Sequence, residues 1–309
     1  MTTIFECEYQ GRRYAGTGIP EPGAPLTLRP VQDGWYRKAL FEGGGPAALA
    51  TALEEIHDTI TVDPGSAGLR FLPPLLPPAS GDSLVNGFMG THRSKFDRPP
   101  APDEPFARPN YYLKGPGSWL RVPGEDLVVP HEPLWLLEEP EVTLVWVNDD
   151  DGVPHYAGYT FGNDLNDIGL HRENPWAWTP YAKLCETSVV PHLFLEDPPE
   201  TATGRVTIER DGAKAWEGPF SCGADSIFQR IPDMVDHLLS YPLLRHPGTV
   251  NYLLLGADKA SFHDGFRIED GDRIVIDVTS HGVVLANPVR YGQEATDTSW
   301  SRIRRTVPM

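Results

Sequence analysis

The most ordered pattern of apolar and polar positions lies between residues 139 and 164. Glu139-Pro140-Glu141-Val142-Thr143-Leu144-Val145-Trp146-Val147 is dense in β-branched and aromatic side chains, which predicts a strand. Asp149-Asp150-Asp151-Gly152 supplies short polar residues suited to a hairpin turn, and His155-Tyr156-Ala157-Gly158-Tyr159-Thr160-Phe161 reads as the returning strand. A strand repeats every two residues, so Glu139 and Glu141 share a face. An antiparallel return would carry Asp164, in Gly162-Asn163-Asp164, back beside them. Like charges so placed repel unless a cation lies between them. Three carboxylates with room for water suit an oxygen-loving ion, Mg²⁺ or Mn²⁺, better than zinc, which recruits His or Cys.

Outside this hairpin the chain is punctuated by 32 prolines and 30 glycines, favouring short strands and turns over long helices. Residues 1–72 predict a small α/β leading domain. It has short strands up to Phe41, a Gly43-Gly44-Gly45-Pro46 breaker, and an amphipathic helix over Ala47–Ile56. The triple glycine lacks the Lys-Ser/Thr of a phosphate loop and reads as a turn. Residues 73–110 form a proline-rich linker in which 93–109 is expected to act as a lid. Residues 111–309 predict one β-rich catalytic domain, interrupted by a helix near Ile227–Ser240, and no internal repeat stands out.

Composition narrows the function. With 26 basic against 43 acidic side chains the net charge is −17, which works against a polyanionic partner and excludes nucleic acid from the reading. No apolar run reaches the roughly 20 residues that span a bilayer, so no membrane association is expected. Met1-Thr2-Thr3-Ile4-Phe5-Glu6 turns acidic at once and resembles no secretion signal, so a cytoplasmic location is expected. Cys7, Cys185 and Cys222 are widely spaced and odd in number, which predicts reduced thiols, with Cys185 a buried small hydrophobe.

The ordered motifs resemble the fumarylacetoacetate hydrolase superfamily, which shows Glu-x-Glu on a strand, a GYT-x-GND turn and a lysine about twenty residues further on. The likeness is greatest to the branch that includes 2-keto-3-deoxy-arabinonate dehydratase, through Glu139-Pro140-Glu141, Glu173-Asn174-Pro175 and Tyr181-Ala182-Lys183. It continues through Phe266–Ile276 and Gly282–Val289, which resemble the closing GD and NPV strands of the family. The resemblance implies an α+β, mostly β fold, a mixed β-sandwich roll with a small α/β N-terminal domain, and a homodimer. It also implies a small-molecule substrate and a Mg²⁺ (or Mn²⁺) ion on Glu139, Glu141 and Asp164.

On that basis the expected activity proceeds through a metal-bound enolate of a β-dicarbonyl or 2-keto acid, ending in C–C bond hydrolysis or in dehydration. Lys183 would contact a substrate oxygen or move a proton. His92 falls where superfamily hydrolases carry a water-activating histidine, and it reads either as that base or as a hydrogen-bonding loop residue. Lys114 either faces the substrate carboxylate or forms a structural ion pair. His131, His155, His171 and His192 have no metal-ligand spacing and read as structural. Asn163, Gly256, Ala257 and Ile168 fall at substrate-binding positions, and here the chain departs from the pattern. Ile168 stands where the family has an arginine, Asn166 where it has a serine, and Ala257 where it has a threonine. A substrate oxygen without its donor costs roughly 1–3 kcal/mol, so a less polar substrate than the usual sugar acid is expected. The alternative from another class is a catalytically impaired member that binds a metal or ligand.

Overall fold

The computed structural model describes residues 1–95 and 106–293. Residues 96–105, most of the expected lid, and residues 294–309 lie outside the described residues. The predicted hairpin is the spine of the fold. Strand Pro140–Asn148 pairs antiparallel with Pro154–Asn163, with Pro140 opposite Asn163 and Glu141 opposite Gly162. The register slips once, at Val145/Trp146, where Gly158 takes φ +134°. A Cβ there would lie 2.2 Å from the Phe194 carbonyl oxygen, so both the backbone conformation and the close approach require glycine.

Every residue of Pro140–Asn148 is buried, because both faces of this strand are covered. Val142, Leu144 and Trp146 pack with Tyr159 and Phe161 against Val206, Ile208, Ile274, Ile276 and Leu285 of a second, 5-stranded sheet. Val145 and Val147 face the other way, onto Leu40, Leu49 and Leu53 of two helices. A run that is apolar at both parities is what burial between two layers demands. The hairpin sits inside a 13-stranded sheet that also takes in Thr3–Tyr9, His192–Phe194, Val250–Leu254 and Ser83–Met89. Thr3–Tyr9 pairs with His192–Phe194, so hydrogen bonding runs unbroken from the leading 72 residues into the central sheet. The architecture is mostly β with few helices, as expected.

Two local expectations change. The stretch read as strand up to Phe41 ends in a helix, Tyr36–Gly43, whose Tyr36 and Leu40 lie one turn apart and bury against the sheet. That helix stops where Gly44 (φ +78°) and Gly45 (φ +109°) turn the chain into the predicted second helix, Ala47–Glu54. The later helix begins at Ile231 rather than Ile227, because Ile227 is held in extended conformation as a bridge partner of His92 and Pro232 suits the first helical turn. Among the described residues no helix is long and apolar enough to cross a membrane.

Candidate metal centre

The open end of the hairpin brings together what lies 25 residues apart in sequence. The Asp164 N–H donates to the Glu139 carbonyl (2.9 Å), so the chain leaves the strand with Asp164 beside both glutamates. One carboxylate oxygen from each of Glu139, Glu141 and Asp164 falls within 4.8 Å of the other two, and all three residues are buried.

Each carboxylate is held differently. Asp164 receives the Tyr112 hydroxyl (2.6 Å), Lys183 Nζ (2.5 Å) and Lys114 Nζ. Burial alone would raise its pKa, but the two lysines outweigh it and hold the carboxyl well below the usual range. Glu139 accepts Lys95 Nζ at 2.7 Å, Asn166 Nδ2 at 2.9 Å and Lys183 Nζ at 3.3 Å, and the same balance of burial against Lys95 and Lys183 lowers it. Glu141 has no such partner. Among the described residues it accepts only the Gly256 N–H, at 2.5 Å. Burial, then the charges of Asp164 and Glu139, push its pKa well above that of an ordinary carboxylate. Gly256 reaches that position with φ +111°, and a Cβ would strike Thr91 Oγ1 at 1.9 Å. The unmet charge on Glu141 marks the donor set as one that fits a hard divalent cation.

Lys183 is a fixed cation. Burial would lower its pKa, but Asp164 and Glu139 raise it instead, and its Nζ lies 4.3 Å from the centre of the Tyr112 ring. It can lend a positive charge or donate a hydrogen bond, but it is poorly placed to accept a proton. The neighbouring Glu138 points the opposite way, to the N–H and hydroxyl of Ser261, and burial pushes its pKa up to about 7.

Glu139, Glu141 and Lys183 line a cavity of about 190 Å³, closed on its other sides by Phe88, Met89, Lys95, Asn166, Ile168, His171, Thr179, Gly256 and Ala257. Of the positions expected to bind substrate, Ile168, Gly256 and Ala257 line this cavity. Lys114 takes its alternative role, buried and bonded to Asp164 and to the Leu165 carbonyl (2.7 Å), without lining the cavity. Asn163 turns inward too, accepting the Glu139 N–H at 3.0 Å. Arg172, on the helix that carries Ile168, does not line the cavity, and its guanidinium lies 5.4 Å from the Phe262 ring centre.

His92 corrects the expectation of a water-activating base at this cavity. Thr91 Oγ1 donates to the Leu255 carbonyl (2.6 Å) and the His92 backbone forms a bridge with Ile227, which fixes the chain at this point. Its nitrogens meet Ser94 Oγ (2.8 Å) and the Ser221 carbonyl (3.0 Å), it is 4% exposed, and it is not among the lining residues. The histidine that does line the cavity is His171, which sequence reasoning set aside as structural. It lies three residues after Ile168 on the short helix Ile168–Glu173, so the two share a helical face. Asp167 starts that helix by accepting the N–H groups of Gly169 and Leu170, and it also ties down Leu134 and Trp135. The spacing from Ile168 was the available signal, but a helix of six residues is too short to show periodicity.

No protein-family model matches the chain. It is 29% identical over 191 residues to a probable 2-keto-3-deoxyxylonate dehydratase of Haloferax volcanii, a match covering 59% of this chain and 60% of that protein. The match thus spans less than two thirds of the relative's length. In fold it is similar to 2-keto-3-deoxy-D-arabinonate dehydratase complexed with magnesium and 2,5-dioxopentanoate, with TM-score 0.67, 20% identity, 94% of this chain and 100% of that one. It is also similar to 2-hydroxyhepta-2,4-diene-1,7-dioate isomerase from Mycobacterium marinum, with TM-score 0.59, 19% identity, 95% of this chain and 100% of that one. The resemblance read from the motifs therefore holds in the fold.

Proposed function

We propose that the protein is a divalent-cation-dependent dehydratase that forms the enolate of a short 2-keto acid and expels water from the adjoining carbons. The observation that carries this reading is the buried triad, two of whose acids, Glu139 and Glu141, line a small cavity, with Glu141 short of a counter-charge. A Mg²⁺ or Mn²⁺ ion held by Glu139, Glu141 and Asp164 would polarise the oxygens of a 2-keto acid and steady negative charge on them. The chain itself does the rest. Lys114 and Tyr112 fix the Asp164 carboxylate, Asn166 and Lys95 fix that of Glu139, and the Gly256 N–H aims that of Glu141. Lys183 presents a permanent positive charge to the cavity, where it stabilises charge growing on a substrate oxygen.

Dehydration is favoured over C–C bond hydrolysis because His92, the histidine expected to activate water, is bonded to the Ser221 carbonyl and does not line the cavity. Two of the three similar proteins carry the name of a dehydratase, which supports the same choice. At about 190 Å³ the cavity lies below the usual ~300–1,000 Å³ of drug-sized sites, which supports a compact substrate. Ile168 and Ala257 supply an apolar wall, so the substrate is one whose far end is less polar than that of a sugar acid.

The test pairs calorimetry with Mg²⁺ and Mn²⁺ against a panel of 2-keto acids and acylpyruvates. Metal-dependent loss of water from a 4-hydroxy-2-keto acid is the expected result. Acylpyruvate cleavage without dehydration would overturn the choice of reaction, and metal binding with no turnover on either panel would favour a binding module.

A further inference from the structure

If an enolate forms in this cavity, some group must take the proton from carbon 3 of the substrate. The ionisable side chains lining it, among the described residues, are Lys95, Glu139, Glu141, His171 and Lys183. Both glutamates belong to the triad, Lys95 is paired with Glu139 at 2.7 Å, and Lys183 is a cation held by Asp164 and Glu139. His171 is left.

Its hydrogen bonds settle which nitrogen is available. Thr179 Oγ1 has one hydrogen, and it donates that to the Pro175 carbonyl at 2.6 Å, four residues back. The same oxygen lies 2.7 Å from His171 Nδ1, so it can only accept there, and the ring proton is fixed on Nδ1. Nε2 is then a bare lone pair, the form a general base requires. We propose, on the footing of the function above, that His171 Nε2 is the base that removes the carbon 3 proton, oriented through Thr179. The C–H electron pair becomes the C2=C3 bond of the enolate and the carbonyl π pair moves onto the oxygen at C2. When that pair returns to expel hydroxide from C4, the hydroxide collects the proton from His171 and leaves as water. Burial, then Lys183 and Lys95, lower the histidine's pKa while Glu139 opposes them, which keeps the ring neutral at pH 7.

The test reads deuterium uptake at carbon 3 of 2-oxobutanoate in D₂O with Mg²⁺, alongside the ring tautomer by long-range ¹H–¹⁵N NMR. The parent should exchange deuterium and carry its His171 proton on Nδ1. His171→Gln should slow exchange ~100-fold, the scale of losing one acid–base group, with Mg²⁺ affinity unchanged. Thr179→Val should slow exchange less and release the tautomer. Exchange in His171→Gln close to the parent rate, a proton on Nε2, or a parent that binds Mg²⁺ and exchanges nothing would each overturn the assignment. A parent that binds no Mg²⁺, or a Glu141→Ala variant that exchanges like the parent, would instead sink the function on which it rests.

Discussion

The hairpin Pro140–Asn163 has three acidic residues at each end, and the two ends behave as opposites. At the turn, Asp150 is 92% exposed and meets Arg37 at 2.5 Å, and Asp149 is lowered by hydrogen bonds from His155 and the Val153 N–H. At the open end Glu139, Glu141 and Asp164 are buried at 7% exposure or less and need three lysines, a tyrosine and an asparagine to hold them. Charge count is the same, but water screens one trio and the protein must compensate the other. Acidity alone therefore says nothing of function. A buried acid left without a paired cation, as Glu141 is among the described residues, does.

The sharpest way to break the comparison is Asp164→Ala. It leaves Lys114 and Lys183 buried without their shared carboxylate, which should cost about 3–5 kcal/mol in urea unfolding and abolish metal binding by calorimetry. A loss as small as a surface substitution gives would mean that the two lysines find other partners.

Glu141→Gln should move the other way. The folded pKa of Glu141 lies above the unfolded carboxylate value of 4.5, so its ionised form works against folding. That penalty is absent below pH 4.5 and grows as pH rises from there through the folded value. The stabilising contribution of Asp164, whose folded value is depressed, is fully present above its unfolded value of 3.8 and is lost only below it, so it does not change between pH 4 and pH 8. Metal-free Glu141→Gln should thus melt above the parent at pH 8, match it at pH 4, and lose the stabilisation that Mg²⁺ gives the parent. A metal-free variant that melts lower at pH 8 would show that the Gly256 hydrogen bond outweighs the crowding of charge. The smallest effect belongs to the turn, where Asp150→Asn should leave both the melting temperature and metal affinity unchanged, since an exposed ion pair contributes little.

Local arithmetic was enough to place the triad. A two-residue period aligned Glu139 with Glu141, and a hairpin with a short polar turn returned Asp164 to them. Lys183 came from the resemblance instead, which implies a lysine about twenty residues beyond the aspartate, and it lies 19 residues after Asp164. Partners that arrive through tertiary structure were beyond such reasoning. Gly256 is 115 residues from Glu141 and Lys95 is 44 from Glu139, and no pattern along the chain ties them. His92 and His171 were exchanged for the same reason. The first is held by contacts with Ser221 and Ile227 far along the chain, and the second is presented by a six-residue helix whose geometry depends on the Asp167 cap.

The reach of the Gly256 contact has a consequence for when the site comes into being. The hairpin is built from neighbours in sequence and can close early, whereas Val250–Leu254, which delivers Gly256, docks against Pro140–Asn148 only once some hundred intervening residues have been threaded. Until then the acids are an unfinished arrangement in a partly folded chain. A cation that needs all three of them, correctly aimed, would therefore bind the finished molecule in preference to its precursors, and its occupancy would act as a seal on completed folding rather than as a seed for it.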